Sequence, residues 1–246
     1  MSGHSKWSTI KHKKGAADAK RGRLFTKLIK EITMSARVGG GSVDSNPRLR
    51  SAVQAAKKAS MPSDNIDKAV KRGTGELEGV TYEEIVYEGY GPGGAAILIE
   101  AMTDNKNRTT SEIRHLLTKY GGNMAASGAV AFQFSKKGVI AVEKSAAKED
   151  ALMELALESG AEDFKTEDAE VFEIVTDPAS FEAVKASVEA KNIPVQTAEI
   201  QMVPQSTIDV GDRGPALLKL LEMVEDNDDV QKVWSNGDID EKYLGE

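Results

Sequence analysis

The hydrophobic period of this chain changes near residue 82, and the sign of its charge changes with it. Before that point apolar residues recur every three or four positions, the spacing of an amphipathic helix. After it, β-type apolar runs stand between helical stretches. A chain of 246 residues with this break must join a helical unit to mixed α and β structure, because each pattern buries its apolar face in a different kind of layer. Residues 1–75 hold 17 Lys and Arg against five acids, a net +12, and the remainder holds 15 against 34, a net −19. The formal total of −7 therefore conceals a basic module attached to an acidic body.

In the basic module, Leu24, Phe25, Leu28, Ile29 and Ile32 fall on one face of a helix expected over residues 16–37. Lys13, Lys20, Arg23, Lys27 and Lys30 form a stripe centred about 150° away, which leaves them to meet anions. Gly39, Gly40 and Gly41 end that helix. A second helix is expected from the Asn46 cap and Pro47 to Ala59, and a third from Pro62 to Gly73. The apolar content of this bundle is mostly alanine, so it should lean on a neighbour or be mobile. Ahead of it, Lys6, Trp7, Lys11, His12, Lys13 and Lys14 combine phosphate-neutralising cations with an aromatic able to stack on a base. His4 and His12 lack a third ligand, so no metal site is expected there.

The body reads as strands at 82–89, 95–102 and 129–135 with a helix at 108–120. Strands at 138–143, 162–167, 170–176 and 195–203 follow, with helices at 148–159 and 178–191; a helix at 212–226 and a strand at 229–235 close the chain. The stretch 138–203 has the βαββαβ order of a ferredoxin-like unit. The expected architecture is thus multidomain α+β: a helical bundle (1–75), a discontinuous α+β domain (76–136 with 204–246), and an inserted one (137–203), both of ferredoxin-like type.

Catalytic signatures are scarce. Gly89-Tyr90-Gly91-Pro92-Gly93-Gly94 matches a dinucleotide fingerprint in letters only, because a strand rather than a helix follows it; a hairpin turn is expected. Asp226-Asn227-Asp228-Asp229 lacks the glycine of a calcium loop. Glu100 and Asp104 are carboxylates that Mg²⁺-dependent phosphodiester chemistry could use, though cap or buried roles suit them better. No nucleophile elbow, phosphate loop or zinc motif is present, so no catalytic residue, metal or cofactor is expected. Asp104 to Thr110 enters a helix, and Lys106 and Arg108 beside its free amides form a second candidate phosphate seat; Asn107 or Thr109 could instead cap the helix. Cysteine is absent, which excludes disulfides and fits a reducing compartment, the cytoplasm. The longest apolar run, about seven residues, is far below the ~20 needed to span a bilayer.

The residues Gly3-His4-Ser5-Lys6-Trp7, Asn46-Pro47-Arg48-Leu49-Arg50, Tyr87-Glu88-Gly89-Tyr90-Gly91-Pro92-Gly93-Gly94 and Asp104-Asn105-Lys106-Asn107-Arg108-Thr109, in this order, resemble the YebC/PmpR family. The resemblance runs through Gly121-Gly122-Asn123 and Phe134-Ser135-Lys136-Lys137-Gly138. It implies a helical N-terminal domain with two α+β domains, and a cytoplasmic, probable DNA-binding transcriptional regulator. It also implies kinship with a mitochondrial translational activator and a link to ribosomes stalled on proline-rich stretches. The residues themselves lean toward RNA or the ribosome, where the family label says DNA: the Lys20, Arg23, Lys27 and Lys30 set suits phosphates more than base edges, and a basic arm with Trp7 suits structured RNA at least as well as duplex DNA. The acidic body would face away from nucleic acid, dock a basic, for instance ribosomal, protein, or fold back on the basic module and suppress indiscriminate binding.

Overall fold

The computed structural model describes residues 18–243. Three helices open it: α1 (Asp18–Gly39), α2 (Pro47–Lys58) and α3 (Ser63–Thr74). The Asn46 side chain caps α2 by accepting the Leu49 amide at 3.1 Å, and its Nδ2 donates to Ser35 O and Gly40 O, both at 2.8 Å, so the cap also ties α2 to the end of α1. Gly40, at φ +84°, provides the left-handed exit from α1. Gly73 lets α3 lie directly on α1, since a Cβ there would sit 2.3 Å from the Thr33 carbonyl oxygen. The buried bundle core holds Ile32, Leu49, Val53, Met61, Ile66 and four alanines, as thin as its composition suggests.

Two four-stranded antiparallel sheets follow. The first has the order β3-β1-β2-β9, built from β1 (Glu83–Tyr90), β2 (Ala96–Thr103), β3 (Asn123–Met124) and β9 (Val230–Ser235). Helices α4 (Lys106–Lys119) and α7 (Gly214–Glu225) cover one face, where Ile113, Leu117, Leu217 and Leu220 pack on Tyr87, Ile97 and Ile99. Each such aliphatic side chain contributes roughly 1.5–3 kcal/mol by leaving water. The second sheet has the order β5-β6-β4-β7, from β4 (Phe134–Glu143), β5 (Ala161–Lys165), β6 (Val171–Thr176) and β7 (Val195–Pro204), under α5 (Glu149–Glu158) and α6 (Phe181–Ala190). That is the strand order of a ferredoxin-like unit, whereas the first sheet sets a hairpin, β1 with β2, at its centre. A short parallel pair, β8 (Ile208–Asp209) with β10 (Gly237–Asp238), has no signature in the sequence pattern.

The expected strands at 129–135 and 138–143 are instead a 3₁₀ turn at Ala131–Gln133 leading into the single strand β4. Glu88 is the reason. The residue is 4% exposed, and its carboxylate accepts the amides of Gly128, Val130 and Ala131 at 2.6, 2.7 and 2.8 Å, so that backbone is taken out of any ladder. Burial alone would raise the Glu88 pKa; the three amides outweigh it and hold the carboxyl below its ordinary range.

Glu173 on β6 lies buried without such donors, and burial pushes its carboxyl up to about 7. Its folded pKa exceeds its unfolded value, so stability should decline as pH rises from about 4 through 7, where the unfolded chain releases a proton that the folded chain retains. Glu173→Gln should remove that decline and stabilise the protein by roughly 2–3 kcal/mol at pH 8, measured by urea unfolding at several pH values. An unchanged pH profile would refute this account.

Candidate nucleic-acid interface

Helix α1 turns its basic stripe toward the C-terminal end of α7. Arg23 pairs with the Asp226 carboxylate at 3.0 Å. Lys27 donates to the Glu225 carbonyl at 2.6 Å. One turn on, Lys30 donates to the Asp228 carbonyl at 2.8 Å and the Asp229 carboxylate at 2.6 Å. Helix α7 has no basic residue in its own last turn, so its unsatisfied carbonyls and negative dipole end are met by cations from another element.

Asp229 is the centre of this junction. Its Oδ2 accepts from Arg108 at 2.7 Å, Thr109 at 2.6 Å and Thr103 at 3.1 Å, while its Oδ1 takes Lys30. The side chains of Lys30 and Asp229 are only 8% and 6% exposed. Burial by itself would push the Asp229 carboxyl up; hydrogen bonds from Arg108, Lys30 and Thr109 reverse that and hold it far below the usual carboxylate range. Lys30 also lies 5.7 Å from the centre of the Tyr82 ring.

This geometry corrects part of the sequence expectation. Arg23, Lys27 and Lys30 do sit on one face, but the anions they meet are carboxylates and carbonyls of residues 225–229, not a face left open for phosphates. Helical periodicity identifies a face without identifying what docks on it. Lys20 lies in the first turn of α1, and the described side chains begin at Arg21. Lys6, Trp7, Lys11, His12, Lys13 and Lys14 lie outside the described residues.

The second expected seat is also engaged. Asn105 caps α4 by accepting the Arg108 amide at 3.0 Å, and Arg108 bridges Asp104 at 2.8 Å and Asp229, leaving Lys106 exposed at the helix start. Asp104 is thus an ion-pair partner, and Glu100 is a partly buried strand residue whose carboxyl burial pushes up. Among the described residues no group of three or more His, Asp or Glu could hold a metal ion. No helix there is long and apolar enough to cross a membrane. Local sequence pattern does not single out Asp229 or Glu88; the one signal for Asp229 is that the acidic run 226–229 stands just ahead of a strand.

The family model described as the TACO1/YebC N-terminal domain matches residues 5–76, and that described as the TACO1/YebC second and third domain matches 82–237. The chain belongs to the TACO1/YebC family. The gap between the two matches falls where hydrophobic period and charge both change. Within the family, the chain is 58% identical over 245 residues to a probable transcriptional regulatory protein of Desulforapulum autotrophicum, covering 99% of each chain. A probable transcriptional regulatory protein of Persephonella marina is 54% identical over 246 residues, covering 99% of this chain and 98% of its own. The crystal structure of a conserved hypothetical protein from Aquifex aeolicus superimposes with a TM-score of 0.85 at 48% identity, over 96% of this chain and 98% of that one. The TACO1/YebC fold is therefore α+β, with N-terminal helices ahead of two sheet-containing units.

Replacing Lys30 with methionine should destabilise the protein by about 3 kcal/mol, because the buried Asp229 carboxylate loses a charged partner. Folding lowers the Asp229 pKa, so its contribution is complete above the unfolded value of about 4 and is lost as pH falls below it. Asp229→Asn should flatten that acid limb in denaturation followed by circular dichroism. A Lys30→Met protein as stable as the parent would show that the junction is not what holds α1 in place.

Proposed function

We propose that the protein is a non-enzymatic nucleic-acid-binding regulator of gene expression, acting on DNA in the cytoplasm. The carrying observation is the partition of charge, +12 in residues 1–75 against −19 in the rest. A field of that kind brings a phosphate backbone to one end of the molecule and turns it away from the other. The relatives named probable transcriptional regulatory proteins support the choice of DNA, since control of transcription is exercised there. In this reading residues 1–75 form the binding unit, residues 76–136 with 204–246 form the domain on which it docks, and residues 137–203 form the inserted third domain. The basic segment from Lys6 to Lys14 and the exposed cations of the three helices supply affinity. The Asp229 junction orients them.

Binding should be steeply salt-dependent. If about six phosphates are neutralised, log affinity should fall with log salt at a slope near −5 on duplex DNA and near −4 on single strands. Fluorescence anisotropy with labelled duplex DNA, single-stranded DNA and RNA measures both slope and preference. A slope near zero would sink the electrostatic reading; uniformly tighter binding to RNA would replace DNA as the ligand. Incubation of either nucleic acid with the protein and Mg²⁺ should leave it intact, and cleavage lost on Glu100→Gln would overturn the non-enzymatic assignment.

A further inference from the structure

With Arg23, Lys27 and Lys30 committed to the 225–229 segment, the electrostatic surface of the N-terminal unit has to be sought elsewhere. Helix α2 carries Arg48, Arg50, Lys57 and Lys58 and no acidic residue. Its inner face is Leu49, Ala52, Val53 and Ala56. Arg48 turns to Glu31 and Glu84 and is spent on ion pairs. The outer face keeps Arg50, Ser51, Gln54, Lys57 and Lys58, all exposed. Arg50, Gln54 and Lys57 follow one another at four and three residues, so they fall within about 60° on the helix surface, with Ser51 and Lys58 alongside. One Arg50 terminal nitrogen donates to the carbonyls of Val43 and Asp44 at 3.2 and 3.3 Å, which steadies the guanidinium at the surface. The side chains of Gln54, Lys57 and Lys58 have no hydrogen-bonding or ion-pair partner among the described residues.

We infer that this outer face of α2 is a duplex-DNA reading surface that enters the major groove, an inference that rests on the nucleic-acid reading above and deepens it. The residue types carry the argument. Arginine can bond guanine O6 and N7 in pairs, glutamine can bond adenine N6 and N7, and serine can bond either, whereas Lys57 and Lys58 at the helix end suit phosphates. The B-form major groove, about 12 Å wide, admits an α-helix; the deep, narrow major groove of A-form RNA does not. The helix is also held rigidly. The Asn46 cap, Pro47 in its first turn and the fully buried Leu49 fix its start on α1, so the outer side chains are presented from a stable support. A helix whose cations include no acidic residue of its own matches phosphate, and the net −19 of residues 76–246 repels it.

The test uses the full chain and a library of random duplex DNA from which bound sequences are selected. Arg50→Ala and Gln54→Ala sit at exposed helical positions, and far-ultraviolet circular dichroism checks that they fold. Each should relax preference at a different base position of the selected sequence, by roughly 10- to 100-fold. Lys57→Ala with Lys58→Ala should weaken all sequences alike and make the salt slope less negative by about 2. If the parent binds duplex DNA and all these variants bind and discriminate as it does, the α2 surface is refuted while the broader reading stands. If the parent binds no duplex at all, DNA recognition itself fails and this inference with it. Loss of RNA binding, but not of duplex binding, in the same variants would also overturn groove reading.

Discussion

A buried carboxylate must find compensating charge, and in this protein the requirement falls on Asp229. Placed just ahead of β9, it has little access to water, so it gathers Lys30 from the helical unit, Arg108 from α4, and the hydroxyls of Thr103 and Thr109. One acidic group thereby couples the N-terminal helices, the end of β2, the start of α4 and the entry to β9. An ion pair on the surface would contribute little to this arrangement. A buried one forbids alternatives, because separating the partners strands a charge away from solvent.

The same junction explains why an alanine-rich three-helix bundle holds a definite place. Its own core is small, and the stabilisation available from burying alanine is slight. Helix α1 supplies Arg23 and Lys27 to the carboxylate and carbonyls at the end of α7, a helix with no cation of its own in the last turn. Each unit completes the other: the bundle gains an anchor, and α7 gains satisfied termini. Glu88 does a comparable task within the body, trading three backbone amides for a carboxylate and so setting the turn that leads into β4.

Most of the fold was legible in the sequence because the signals were local. Asn46 and Pro47 mark the start of α2, the apolar run from Ala96 to Met102, broken only by Glu100, marks β2 with Ile97, Ile99 and Ala101 on one face, and the βαββαβ order of residues 138–203 reappears as the sheet β5-β6-β4-β7. The turn at 131–133 was not legible, since the amides it needs are claimed by Glu88, some forty residues away in sequence. The pair β8 with β10 was hidden for a similar reason. Two-residue strands have no period to read.

The candidate site divides along the same line. Charge partition, helix periodicity and the family motifs are properties of neighbouring residues, so the sequence by itself determined that the basic residues lie at one end and that Arg23, Lys27 and Lys30 share a face. Tertiary structure alone decided that this face meets residues 225–229 rather than solvent, and that α2 keeps Arg50, Lys57 and Lys58 outward. The physical reason is that an ionic group is matched by whichever opposite charge the fold brings within about 3 Å, and a distance across some 200 residues is set by packing, not by spacing along the chain.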